Sequence, residues 1–68
     1  KNIELVKFLI KNGANVNAKA IYQATPLHVA VEEKNIELVK FLINNGAGVN
    51  AKGRKEATPL HVAVEKNN

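Results

Sequence analysis

Two histidines, His28 and His61, are the residues of this 68-residue chain best suited to chemistry. An imidazole can bind a metal ion or act as a general base, but both roles need suitably placed partner groups. The chain has no cysteine, the two histidines do not stand at a helical ligand spacing, and the carboxylates near them are Glu32 and Glu65 in the same segments. We therefore interpret each imidazole as structural, bonded to a helix-start threonine and a neighbouring turn, and predict no metal site.

Other catalytic patterns are also missing from the sequence. There is no glycine-rich phosphate loop, nucleophile turn or paired-acid arrangement, and the four glycines are scattered. Serine, a common nucleophile, is absent. We predict that the chain is not an enzyme, with no catalytic residues and no cofactor.

The net charge of +4 raises the possibility of a nucleic-acid partner. Lys7, Lys11 and Lys40 lie among the polar positions of predicted amphipathic helices, and the pairs Glu4 with Lys7 and Glu37 with Lys40 have the i,i+3 spacing of solvated ion pairs. We therefore interpret the charge as a solvated surface and disfavour nucleic acid. No apolar run reaches the length of about 20 residues needed to span a bilayer. The absence of cysteine is compatible with a reducing, intracellular compartment.

A repeat accounts for most of the sequence. The octet ATPLHVAV occurs at residues 24–31 and again at 57–64, which are 33 residues apart. When residues 1–35 are aligned with 34–68, 27 of the 35 pairs are identical. Four consecutive differences fall where residues 20–23 meet 53–56. Such a period predicts stacked repeat units, each burying its apolar face against its neighbours, with a constant scaffold and a variable loop.

Each octet is predicted to start a helix. Thr25 and Thr58 are good N-caps, and Pro26 and Pro59 suit the first helical position, where no amide donor is needed. The helix should end near residues 33–35 in a tight turn, in which we expect Lys34 to adopt a left-handed conformation at some cost in strain.

A second helix should follow, because apolar residues in NIELVKFLINNG recur at i, i+1, i+4 and i+5. Ile36 and Phe41 widen this stripe, so we expect the helix to be covered on two sides. Gly46 stands where a C-terminal cap favours a positive φ, and residues 3–13 show the same pattern. Beyond it, Val49 is expected to face the core and Asn50 to bind backbone groups of a hairpin-like loop.

The stretch TPLHVAVEEKNIELVKFLINNGAGVNAK closely resembles the ankyrin repeat, and the resemblance covers the whole chain. It implies an all-α solenoid of stacked helix-turn-helix units joined by hairpin-like loops. The chain departs from the family pattern in three places. Lys34 replaces the usual glycine between helices, Asn15 and Gly48 replace the usual aspartate, and the loop tips lack the usual Asp-x-x-Gly.

The resemblance also implies a protein-interaction module that binds a partner through the loop tips and the concave face of the first helices. Carried over by position, the candidate contacts are Lys19, Ile21, Tyr22, Ala24, Glu32, Glu33, Lys52, Arg54, Lys55, Ala57, Glu65 and Lys66. An aromatic beside an aliphatic residue, as in Ile21-Tyr22, suggests a binding hot spot. Packing of these two side chains onto the neighbouring loop is the alternative.

The repeat is cut out of phase. We predict three segments: 1–18, the second helix and close of a partial repeat; 19–51, a complete repeat; and 52–68, the loop and first helix of another partial repeat. Neither end carries a polar cap, so the isolated chain should be marginally stable or associate. An excerpt of a longer array is the favoured explanation. The alternative is a structural, self-associating segment that stacks head to tail through its uncapped ends.

Overall fold

Four α-helices follow one another along residues 3–67, the part of the chain that the computed structural model describes. They are α1 (Ile3–Lys11), α2 (Pro26–Glu32), α3 (Ile36–Asn44) and α4 (Pro59–Lys66). A loop with a tight turn precedes α2 and another precedes α4, at Ile21–Gln23 and Arg54–Glu56. The predicted all-α repeat stack is confirmed. The three predicted segments stay predictions, and residues 1, 2 and 68 in the outer two lie outside the described part.

The starts of α2 and α4 follow from their threonine caps. The Thr25 hydroxyl accepts a hydrogen bond from the amide of His28 (3.4 Å), and the imidazole Nδ1 of His28 accepts one from the amide of Thr25 (3.1 Å). Thr58 and His61 form the same reciprocal pair at 3.3 and 3.1 Å. These capping boxes satisfy amides that the first turn would otherwise leave unpaired.

Each of the first three helices ends with a residue at positive φ. Gly13 and Gly46, both at φ 96°, follow α1 and α3, and Lys34, at φ 58°, follows α2. After α2, the amide of Lys34 bonds to the carbonyl of Val31 (2.9 Å) and that of Asn35 to the carbonyl of Ala30 (3.1 Å). This is a Schellman motif with a lysine in the position that glycine usually takes. The left-handed conformation predicted for Lys34 is present.

The core forms where α2 packs against both α3 and α4. Its buried apolar residues are Leu27, Ala30, Leu42 and Ala47, which are at most 8% exposed. Because Ala30 has only a methyl group and is fully buried, the neighbouring helices can approach it closely. The facing sides of α2 and α3 therefore supply most of the core.

Four expectations about exposed residues are wrong. The side chain of Asn50 has no hydrogen-bond partner among residues 3–67, so it does not bind the backbone of its loop. Val49 is 49% exposed and does not face the core, and Ile36 is 67% exposed, so α3 is not covered on that side. Neither residue has a further repeat unit packed over it among residues 3–67, and packing of that kind is what would bury them. The expected pairing of Glu37 within its own helix is replaced by an ion pair to Lys7 of α1, with Nζ and Oε2 3.5 Å apart.

Candidate interaction groove

Both loop tips have the backbone of a hairpin turn. Tyr22 and Gln23 have φ values of 63° and 65°, and Lys55 and Glu56 have values of 54° and 63°. Two consecutive left-handed residues are typical of the type I′ turn, which usually contains Asn or Gly. The amide of Ala20 donates to the carbonyl of Ala24 (2.7 Å). In the second loop, the amide of Gly53 donates to the carbonyl of Ala57 (2.8 Å). The hairpin-like shape is thus held without the residues that relieve its strain.

The side chain of His28 connects the start of α2 to the loop that precedes α4. Its Nδ1 accepts from the amide of Thr25, so its Nε2 carries the proton and donates to the carbonyl oxygen of Ala57 at 2.9 Å. The neighbouring Gly53 is buried, and a Cβ added there would lie 3.0 Å from that Nε2. Position 53 differs from its counterpart Ala20, and the closely placed imidazole is the physical reason that a glycine suits it. The structural role inferred for His28 fits these contacts.

His61 makes the same contact within its own cap, with Nδ1 2.8 Å from the Thr58 hydroxyl oxygen. Among residues 3–67, no acceptor is within hydrogen-bonding distance of its Nε2. The side chain is exposed, whereas His28 is 6% exposed. Two identical octets therefore place their histidines in different environments.

The two loop tips and the helices that follow them enclose a groove of about 500 Å³. Nine of the twelve sequence-predicted contact residues line it: Ile21, Tyr22, Ala24, Glu32, Arg54, Lys55, Ala57, Glu65 and Lys66. The tips form one wall and the charged ends of α2 and α4 form the other. The half-buried Ala24 and Ala57 lie between them. We call this surface the tip–helix groove.

The other three predicted residues lie elsewhere. Glu33 lines a separate apolar groove beside α1, with Ile3 and Val6 among its neighbours. Lys52 is exposed and makes an ion pair with Glu56, the Nζ and Oε1 atoms being 3.9 Å apart. Lys19 is exposed and does not line the tip–helix groove. Most of the residues selected by their position in the repeat therefore line one groove, but these three do not.

Sequence reasoning missed two residues that line the groove, His28 and Val62. His28 was interpreted as purely structural, although its position in the first helix of the repeat is the same criterion that selected its neighbours. Val62 carries no comparable signal in the sequence, because its counterpart Val29 has the same side chain and lines the separate groove beside α1.

The two walls of the groove differ in charge. The charged groups of the tip wall are Arg54 and Lys55, whereas the helix wall carries Glu32 and Glu65 together with Lys66. The Glu32 carboxylate pairs with Lys66 across the two helices, with Oε2 and Nζ 3.7 Å apart. Ion pairs this exposed contribute little to stability, so these charges remain available to a partner.

Neither a metal-binding cluster nor a membrane-spanning helix is found among residues 3–67. Within the described residues, no group of three or more histidine or carboxylate side chains is placed to hold a metal ion. None of the helices between residues 3 and 67 has the length and apolar character required to cross a membrane.

Comparison with known families identifies the family of the chain. The sequence signature described as ankyrin repeats, in three copies, matches residues 1–68. The chain therefore belongs to the ankyrin-repeat family. Ankyrin repeats are generally protein–protein interaction modules and are typically non-enzymatic. No match was found among curated proteins.

Proposed function

We propose that this chain is a non-enzymatic interaction module that binds a partner protein in the tip–helix groove. The observation that carries the proposal is the convergence of the non-repeated tip residues with the charged helix ends on one concave surface. Ile21 and Tyr22 are 75% and 62% exposed there, so both offer apolar surface to a partner beside the charged residues of the groove. Aromatic residues in such positions often dominate binding energy.

The backbone of the tips supports the same proposal. Left-handed conformations at residues other than glycine, asparagine or aspartate cost on the order of 1 kcal/mol each. Tyr22, Gln23, Lys55 and Glu56 all have positive φ. Strain of this kind concentrates where side chains must be presented in a defined geometry. The tips therefore present their side chains at a cost to stability.

The experiment selects binders from a displayed library of natural protein fragments, with the full chain as bait. Fragments recovered are then titrated calorimetrically against the parent chain, Tyr22→Ala and Lys40→Ala. Lys40 is exposed on α3 and does not line the groove, so it serves as the matched control. We expect Tyr22→Ala to weaken binding about tenfold or more, because about 1.4 kcal/mol corresponds to that factor. Equal affinity for Tyr22→Ala and the parent chain would refute this site.

A second candidate function, head-to-tail self-association, is favoured by two exposed apolar faces. On α1, Leu5 and Leu9 are 56% and 52% exposed; on α4, Leu60 and Val64 are 71% and 68% exposed. The sequence of α1 equals that of α3 except at its last residue, and α4 repeats the sequence of α2. One copy's α1 can therefore pack on the α4 of another copy as α3 packs on α2.

Sedimentation equilibrium with circular dichroism on the same samples tests this alternative. Self-association predicts that mass and helicity rise together with concentration. Leu60→Lys should abolish the rise because it places a charge on the exposed face of α4, whereas Ile21→Lys, in the tip–helix groove, should not. A helical monomer at every concentration would exclude head-to-tail stacking.

A further inference from the structure

The side chains of Tyr22 and Arg54 stack across successive loop tips. The guanidinium carbon of Arg54 lies 4.4 Å from the centre of the Tyr22 ring. These two positions are not equivalent in the repeat, and the contact forms because two different tips lie side by side. When a guanidinium stacks on an aromatic ring, the contact uses the flat face of the guanidinium. Its N–H groups lie in the guanidinium plane, so they remain free to donate to a ligand at the edge.

The N–H donors of Arg54 have no acceptor among residues 3–67. Glu32 and Glu65 line the same groove but form no ion pair with Arg54, and Glu56 of the same tip pairs with Lys52 instead. Lys55 adds a second positive charge beside Arg54 on the same wall of the groove. The tip wall therefore presents the oriented, unpaired N–H donors of Arg54, and the charges of Arg54 and Lys55 make the electrostatic potential there positive.

An apolar surface adjoins these donors. Ile21 and the outward part of the Tyr22 ring are exposed on the same wall. A side chain that covered them would bury apolar area, at roughly 25 cal/mol per Å² removed from water. The opposite wall carries Glu32 and Glu65 against one cation, Lys66, so an anionic group is less favourable against α2 or α4 than at the tips. An anion in the groove is therefore directed to the tips.

We propose that the partner presents a carboxylate side chain next to an apolar side chain on an extended segment. The carboxylate accepts two parallel hydrogen bonds from Arg54, and the apolar side chain packs on Ile21 and Tyr22. This inference rests on the proposed function of the groove. A guanidinium can hold a carboxylate or a phosphate group by two parallel hydrogen bonds, so the experiment below compares the two anions directly.

A displayed library of random octapeptides, selected on the full chain, tests the chemistry. We expect enrichment of Asp or Glu beside Leu, Ile, Val or Phe, and loss of that enrichment when selection is repeated on Arg54→Gln. Arg54 is exposed, so the substitution should leave the circular dichroism spectrum unchanged. Arg54→Lys should restore little of the enrichment, because an ammonium keeps the charge but lacks the planar fork.

The most enriched peptide is then synthesised with glutamate, glutamine or phosphoserine at its acidic position. Replacing glutamate with glutamine should weaken binding about tenfold to the parent chain and much less to Arg54→Gln, which is the signature of a direct pair. Tighter binding of the phosphoserine peptide than of the glutamate peptide would overturn the carboxylate assignment.

The outcomes separate this inference from the proposed function. Enriched peptides that require Tyr22 but contain no acidic residue would overturn the acidic partner and leave the groove as a binding site. Peptides whose binding survives both Tyr22→Ala and Arg54→Gln, or the absence of any enriched peptide, would count against both proposals.

Discussion

The Nε2 of His28 donates a hydrogen bond to the carbonyl oxygen of Ala57, 29 residues further along the chain, at 2.9 Å. With Nδ1 accepting from the amide of Thr25 at 3.1 Å, one imidazole joins the cap of α2 to the loop that leads into α4. Successive units are thus connected by a directional contact as well as by apolar packing.

We therefore expect His28→Ala to lower the free energy of unfolding by about 2 kcal/mol, because it removes both the cap bond and the bond to the Ala57 carbonyl, which keeps only the amide of Gly53 as its donor. His61→Ala should cost about 1 kcal/mol or less, since His61 bonds only to Thr58 among residues 3–67. Urea denaturation followed by circular dichroism measures both. If the two variants lose equal stability, the bond to Ala57 contributes nothing.

Gly53 and His28 should be coupled. A methyl group at position 53 would lie 3.0 Å from Nε2 of an imidazole held at both nitrogens, so Gly53→Ala should destabilise the fold by about 1 kcal/mol. Gly48→Ala is the matched control, because the nearest atom to its added Cβ, Oδ1 of Asn17, is 3.6 Å away. We expect the control to be neutral or slightly stabilising.

A double-mutant cycle decides the cause of the Gly53 effect. In the His28→Ala background the imidazole is gone, so Gly53→Ala should no longer be destabilising. A cost that persists in that background would show that the backbone at position 53, and not His28, requires the glycine.

Replacing Lys34 with glycine should stabilise the chain. Lys34 has a φ of 58° at the end of α2, and a left-handed conformation costs an ordinary residue about 1 kcal/mol. Relief of this strain should exceed the greater entropy of glycine in the unfolded chain, and the midpoint of thermal unfolding should rise by a few degrees. Lys34→Ala keeps the strain and serves as control. If alanine stabilises as much as glycine, the side chain of Lys34 is responsible instead.

Asn17 and Asn50 occupy the same repeat position but should differ in importance. The Asn17 amide donates to the carbonyl of Gly46 (3.1 Å), and its Oδ1 accepts from the amide of Gly48 (2.8 Å). Because both bonds bridge successive loops, Asn17→Ala should cost about 1–2 kcal/mol.

For Asn50, the described part of the chain offers the side chain no such partner, so Asn50→Ala should be close to neutral. Hydrogen exchange at the Gly48 amide gives a local measurement for the Asn17 variant. Unchanged protection there would contradict the bridging role.

Much of the local structure could be predicted from the sequence. Thr25 caps α2, Gly46 follows the end of α3, and Lys34 adopts the left-handed conformation between α2 and α3. These features could be predicted because capping and turn formation depend on residues a few positions apart in the chain. The run of mismatches at residues 20–23 against 53–56 also identified the loop tips that line the groove. The stack of Tyr22 on Arg54 was not predicted, because it depends on how two tips lie side by side.

The sequence by itself determined the repeat, its helices, their caps and the family. The tertiary structure decided which copy of each residue is buried. Leu27 is 2% exposed and its counterpart Leu60 is 71% exposed, while Leu42 is fully buried and its counterpart Leu9 is 52% exposed. The paired residues are identical and so are most of their neighbours along the chain. Burial differs because it depends on the units stacked above and below, and a repeating sequence does not contain that information.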